Sequence, residues 1–233
     1  MSIPPVQAAL LSPDSVLRRA AERLAQRFAG MVGEETVERV VFESYVALGR
    51  TAKVQMHLPA LTERFAEDRL TALAQTKGLV VKAVPEVLYI CVHNSGRSQM
   101  AAALTRHLSD GRVHVRSAGS KPTGEGILPS VITVLEEIGI HVDQEFPKPL
   151  TDEVVRAADA VVTMGCGDAC PLYPGKRYLD WELADPATLD LDGVRQVRDS
   201  IRGRVIDLLS ELAPPFSISP RGGSTRERGT FGP

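Results

Sequence analysis

Four apolar residues, Val87-Leu88-Tyr89-Ile90, run directly into Cys91-Val92-His93-Asn94-Ser95-Gly96-Arg97-Ser98-Gln99-Met100 and on into Ala101-Ala102-Ala103-Leu104. A short apolar run bounded by turn residues reads as a strand buried on both faces, and the alanine-rich stretch after it as a helix. A buried strand feeding a helix is half of a strand–helix–strand crossover, which demands a parallel sheet. The loop between them is also chemical. It opens on a cysteine and closes on an arginine six positions later. Backbone N–H groups of such a loop, and of the helix start, point inward at an anion. A guanidinium at Arg97 can clamp two oxygens of a tetrahedral oxyanion. The same positive field favours the thiolate form of a nucleophilic cysteine.

Val92, His93, Asn94, Ser95, Gly96, Arg97 and Ser98 are therefore the candidate oxyanion-binding residues, and Cys91 is the candidate nucleophile. Asn94, Ser95 and Gly96 are small, turn-tolerant residues where the backbone must curl. Ser98 is placed to bond the cysteine sulfur. The His93 side chain is expected to point away, leaving only its N–H in the cradle. The competing reading is a buried structural cysteine; the strand–loop–helix context favours the oxyanion loop.

The alternation continues from residue 86 to 213. Val113 to Arg116 reads as a second strand ending in Ser117-Ala118-Gly119. A helix from Leu128 to Ile138 stops at Gly139, and Thr151-Asp152-Glu153 caps a short helix. Ala160 to Thr163 is a third strand, Arg177 to Trp181 a fourth, and Leu191 to Leu212 a long last helix. The expected fold class is α/β: a four-stranded parallel sheet with helices on both faces. Ligands of such sheets sit at the carboxyl ends of the strands, where Cys91 falls.

Residues 1–80 read instead as a small all-α domain of three helices. Ser12-Pro13-Asp14 starts the first, which carries Leu17, Ala21, Leu24 and Phe28 to Gly30. The second opens at Glu34-Glu35 and carries Val37, Val40, Val41 and Val46. The third follows Leu58-Pro59 with Leu61, Phe65 and Leu73 inward. Nothing catalytic stands out there, and a docking or homodimer-forming role stays open beside a plain solvated surface. The tail 214–233, rich in Ser, Pro, Gly and Arg, is expected to be disordered.

Two further clusters carry chemistry. Cys166 and Cys170 follow the third strand in Met164-Gly165-Cys166-Gly167-Asp168-Ala169-Cys170-Pro171, at the same sheet edge as Cys91. A zinc site needs about four ligands, and no second Cys/His pair has suitable spacing, so no metal is assigned. Thiol–disulfide exchange with Cys91 is the preferred role. Asp185-Pro186, beyond the fourth strand, supplies a carboxyl that can protonate a leaving oxygen, or is an ordinary turn.

Composition narrows the partners. The chain has 233 residues and a net charge of -2, which gives no reason to expect nucleic acid or an anionic membrane surface. No apolar stretch is long enough to span a bilayer, and the first residues lack a signal-peptide layout. A cytoplasmic location is expected, with the cysteines reduced at rest.

On the loop CVHNSGRSQMAA, the Ser117-Ala118-Gly119 turn, VVTMGCGDACP and KRYLDWELADP, residues 86–213 resemble the low-molecular-weight protein tyrosine phosphatase superfamily, and within it the thioredoxin-coupled arsenate reductases. Phosphatases of this fold usually follow the acidic residue and proline with aromatic residues; here Asp185-Pro186 runs into Ala187-Thr188. Many relatives carry a second loop cysteine where this chain has Gly96, and space the redox pair more widely. The short spacing is similar to that of actinobacterial members, some of which use mycothiol and lack the pair. The resemblance implies arsenate as substrate, thioredoxin as electron donor and no bound cofactor. It implies catalytic roles for Cys91, Arg97, Cys166, Cys170 and Asp185. A phosphatase and a non-enzymatic redox or oxyanion sensor remain the alternatives. The N-terminal helices inherit no role from it.

Overall fold

The computed structural model describes residues 13–50, 57–166 and 170–213. Ser12 and the tail 214–233 lie outside the described residues. Three helices come first: α1 (Pro13–Arg27), α2 (Glu34–Gly49) and α3 (Leu58–Thr76). The rest alternates: β1 (Glu86–Cys91), α4 (Arg97–Ser109), β2 (His114–Gly119), α5 (Pro129–Glu136), α6 (Asp152–Ala157), β3 (Ala160–Met164), β4 (Arg177–Asp180), a 3-10 turn at Pro186–Thr188, and α7 (Leu191–Leu212). The strands pair in the order β2-β1-β3-β4, all parallel, so β1 is central and Cys91 ends between Gly119 and Met164.

Side chains alternate between the faces of a strand, and β1 shows why every one of its residues had to be apolar or paired. Val87, Tyr89 and Cys91 face the core built with α4, α5 and α7, through Met100, Leu104, Val131, Leu135, Ile201 and Val205. Leu88 and Ile90 face the opposite core, with Val154 and Val155 of α6. Each such fully buried aliphatic side chain contributes about 2 kcal/mol. Ala72 of α3 belongs to that second core, so the N-terminal bundle completes the layer beneath the sheet.

The bundle closes on the stripes its periodicity foretells, except at Val46 of α2, expected on the buried stripe but 54% exposed. Leu17, Ala21, Leu24 and Phe28 of α1 meet Val37, Val40 and Val41 of α2 and Ala66, Leu70 and Ala74 of α3. Ion pairs fasten it to the sheet. Arg69 of α3, almost fully buried, reaches Glu43 at 3.0 Å and Glu153 of α6 at 2.8 Å. Arg116 of β2 reaches Asp68 at 2.7 Å and also pairs with buried Glu86.

Boundaries differ from the sequence reading in a few places. β2 runs on through Ser117, Ala118 and Gly119, because Ala118 packs into the second core and Gly119 bonds Lys148 and Leu150 on its free side. α5 ends at Glu136, and the Ile140 N–H closes it onto the Leu135 carbonyl around Gly139, at φ +75. Trp181 lies just past β4, its N–H still bonded to the Thr163 carbonyl. Thr151 occupies the N-cap of α6, but its side chain makes no cap bond.

Candidate active site

The loop between β1 and α4 wraps around the Cys91 sulfur. Asn94 takes a left-handed conformation, φ +53, which few residues other than glycine and asparagine adopt readily. That turn aims the Asn94 N–H at the sulfur, 3.2 Å away, while the Ser98 hydroxyl lies 2.9 Å from it. The Asn94 amide nitrogen donates to the Ser98 oxygen at 2.8 Å, which fixes the hydroxyl's direction. The backbone N–H and the hydroxyl therefore converge on one sulfur. Cys91 is 3% exposed, so the sulfur lies at the base of the cradle.

The other loop residues differ in exposure and direction. Val92 is half-buried; Ser95 and Gly96 are buried, and Gly96 precedes the first residue of α4. His93 is exposed and its ring nitrogen lies 3.1 Å from the Lys121 carbonyl, away from the sulfur. At the loop's close, Arg97 turns toward the far strands. Its guanidinium donates to the Leu183 carbonyl and to Asp185, each at 3.3 Å. Asp185 also caps the 3-10 turn, accepting from the Ala187 N–H at 3.1 Å. The carboxyl and the guanidinium therefore stand together at the strand ends.

Cys166 stands two residues past β3, beside the end of β1, with its sulfur 4.0 Å from the Ile90 carbonyl. It packs with Cys170 on the second face of the sheet, whereas Cys91 belongs to the first. The three cysteines thus share one sheet edge but approach it from opposite faces. All three are free thiols. Burial pushes the Cys170 thiol up to about 11, and Cys166 beside it adds to the shift. Burial also pushes Cys166 up, with Cys91 and Asp180 adding to it. Residues 167–169 between them are outside the described residues. Among the described residues no group of His, Cys, Asp or Glu is arranged to hold a metal ion, and no helix is long and apolar enough to cross a membrane.

Some residues that shape the site were not singled out from sequence. Gly165, at φ +72, passes directly over the Arg97 guanidinium. Tyr178 holds the segment after Cys170, accepting from the Tyr173 N–H at 2.8 Å and donating to the Pro171 carbonyl at 3.2 Å. Gln99, fully buried, donates to Asn94 behind the loop. The glycine before Cys166 was the one legible signal; nothing local to Tyr178 or Gln99 announces these contacts.

Comparison with known proteins places this geometry in a family. Residues 86–215 match the model described as low molecular weight phosphotyrosine protein phosphatase, and residues 17–74 match the protein-tyrosine-phosphatase-like N-terminal domain. Among solved structures, a Corynebacterium glutamicum thioredoxin-dependent arsenate reductase, Cg_ArsC1', is 50% identical with a TM-score of 0.76, covering 85% of this chain and 96% of its own. A putative arsenate reductase of Halobacterium salinarum is 32% identical over 132 residues, 54% of this chain and 92% of that protein. A glutaredoxin arsenate reductase of Synechocystis is 30% identical over 131 residues, 55% of this chain and 98% of that protein. The first match spans more than half of the sequence and contains the cysteine loop, and this chain belongs to the low-molecular-weight phosphotyrosine protein phosphatase family.

Proposed function

We propose that this chain reduces arsenate to arsenite. Arsenate is held by Arg97 and the N–H groups of residues 92–98, after Arg97 exchanges its contacts with Leu183 and Asp185 for the anion's oxygens. The Cys91 thiolate attacks arsenic, an As–O bond breaks, and Asp185 delivers the proton that lets the oxygen leave as water. The Cys166 thiolate then attacks the Cys91 sulfur. The S–As bond breaks and its electron pair stays on arsenic, which departs as arsenite and leaves a Cys91–Cys166 disulfide. Cys170 attacks Cys166, freeing Cys91 and leaving a Cys166–Cys170 disulfide for a dithiol protein of the thioredoxin type to reduce.

The observation that carries this reading is the Cys166 sulfur poised 4.0 Å from the Ile90 carbonyl, next in chain to the nucleophile. Hydrolysis of a phosphoester by itself needs no second thiol. The arsenate reductases among the relatives support the same chemistry. In this reading residues 86–213 supply the reacting groups, residues 1–80 are a helical domain packed against them, and the cytoplasm supplies the reductant. A coupled assay tests it: arsenate with thioredoxin, thioredoxin reductase and NADPH, beside mycothiol- and glutaredoxin-based systems. Arsenite formation with thioredoxin, abolished by Cys91→Ser, is expected. No arsenite with any reductant, together with aryl phosphate hydrolysis that survives Cys166→Ser, would overturn it in favour of a phosphatase.

A further inference from the structure

Phe146 lies between α5 and α6 in sequence, yet its ring packs among the N-terminal helices, in the cluster of Leu48, Leu58 and Phe65 with Tyr45 and Leu61. Two cations flank the ring: the Lys148 ammonium 4.7 Å and the Arg64 guanidinium carbon 5.4 Å from its centroid. From the same residue's backbone a bonded path leads to the nucleophile. The Phe146 carbonyl accepts from Gln99 Nε2 at 3.0 Å. Gln99 Nε2 also donates to Asn94 Oδ1 at 3.2 Å, and the Lys148 N–H donates to that same oxygen at 2.8 Å. Asn94 then supplies its N–H to the Cys91 sulfur and its amide nitrogen to Ser98, whose hydroxyl reaches the sulfur as well.

We propose that Phe146 is a positioning residue, the strut by which helices α2 and α3 hold the Cys91 loop closed on its sulfur. The loop has outside support. Asn94 sits in the left-handed region, which asparagine tolerates better than other residues with a β-carbon, and its side-chain oxygen is bonded from beyond the loop by Gln99 and Lys148. Its surroundings are the segment 146–148 and Gln99. That segment is in turn pinned on one side by the Gly119 N–H bonding the Lys148 carbonyl at 2.8 Å, and on the other by Phe146 in the bundle. Gln99 serves as the donor between them: its Nε2 makes both bonds, while its buried Oε1 has no partner among the described residues. This gives the N-terminal helices a part in the reaction, as the wall against which the strut bears.

The inference rests on Cys91 being the nucleophile of the proposed function, and its test uses no oxyanion, so it stands or fails apart from arsenate reduction. The measurement is the rate at which iodoacetamide labels each cysteine of the full chain at neutral pH, resolved by peptide mass spectrometry. Phe146→Ala is expected to slow Cys91 labelling roughly five-fold, as the thiolate loses its donors, with Cys166 and Cys170 unchanged. Phe146→Leu refills the pocket and should restore most of the rate. Gln99→Leu removes the donor at nearly constant volume and should slow Cys91 similarly, and the double variant should be no slower than either alone. General loosening would have the opposite sign, because a buried thiol labels faster when uncovered. Cys91 labelling in Phe146→Ala at or above the parent rate would overturn the proposal. Phe146→Val carries the same test if Phe146→Ala does not fold.

Discussion

Gly165 lies so close over Arg97 that a β-carbon on it would stand 2.9 Å from the guanidinium Nη1. Its φ of +72 adds a second reason for glycine, since a side chain in that region is unfavourable by about 1–2 kcal/mol. The residue links two parts of the proposed reaction, for Arg97 is the anion clamp and the next residue is Cys166. Gly165→Ala is expected to push the guanidinium off line and lower kcat/KM for arsenate by about tenfold or more, as small misplacements of clamping groups do. Steady-state kinetics over a range of arsenate concentrations check it. An unchanged kcat/KM would separate Gly165 from the clamp.

In the reduced protein, burial, with Cys166 adding to it, pushes the Cys170 thiol up to about 11; at the last thiol step Cys166 is held in a disulfide, and burial alone keeps Cys170 above the ordinary thiol value. A thiol raised in this way is mostly protonated near neutrality. The transfer of the disulfide from Cys91 to Cys170 should therefore quicken as pH rises from 7 to 9, by close to tenfold per unit while Cys170 keeps this environment. Rapid quenching with alkylation, followed by mapping of the disulfides, measures that step. Cys170→Ala should complete one turnover and stop with Cys91 joined to Cys166; sustained thioredoxin-linked arsenite production by that variant would contradict the relay.

Tyr178 sets how readily Cys170 leaves its buried site. Its hydroxyl ties the Tyr173 N–H and the Pro171 carbonyl together, so the chain after Cys170 is bound to β4. Tyr178→Phe removes both bonds and leaves the ring's packing in place. A net loss of about 1 kcal/mol, typical of one such bond, corresponds to roughly five-fold more frequent local opening. Alkylation of Cys170 should quicken by that factor, with Cys91 unaffected. An unchanged Cys170 rate would mean that burial against the sheet, and not Tyr178, holds the segment.

The sequence was informative where chemistry and periodicity are local. An apolar run, a loop with a cysteine and an arginine, and alternating strand and helix patterns contain the sheet, its order of elements and the Cys91 cradle. The same reading places Cys166 and Asp185 near that cradle because all of them follow strands of one parallel sheet. It could not show that Cys166 and Cys91 approach the edge from opposite faces, since that depends on the turn at Gly165. Nor could it show that Phe146 belongs to a cluster with Leu48 and Leu58, nearly a hundred residues earlier in the chain. Such contacts join positions whose local patterns are independent. Arg116 is a partial case: a charge inside a strand announces a buried partner, but Glu86, Asp68 and Gln75 become identifiable only once α3 lies across the sheet.

The junction between bundle and sheet should be sensitive to acid through Arg69. Burial pushes Glu153 up, but the Arg69 guanidinium beside it outweighs that and holds its carboxyl below the usual range. Burial likewise pushes Glu43 up, and Arg39 with Arg69 brings it below. A carboxyl held low in the folded protein binds fewer protons than its unfolded counterpart, so its stabilisation is fully present above the unfolded value, about 4.3 for glutamate. It is lost as pH falls from there through the lower folded value. Arg69→Gln removes the cause of the shift at Glu153 and should destabilise the protein by about 2 kcal/mol near neutral pH. The gap between parent and variant should then narrow as pH drops below about 4.3, because the protonated carboxyls no longer need the guanidinium. Urea unfolding at a series of pH values measures both, and a gap that stayed constant down to pH 3 would show that Arg69 acts through packing rather than charge.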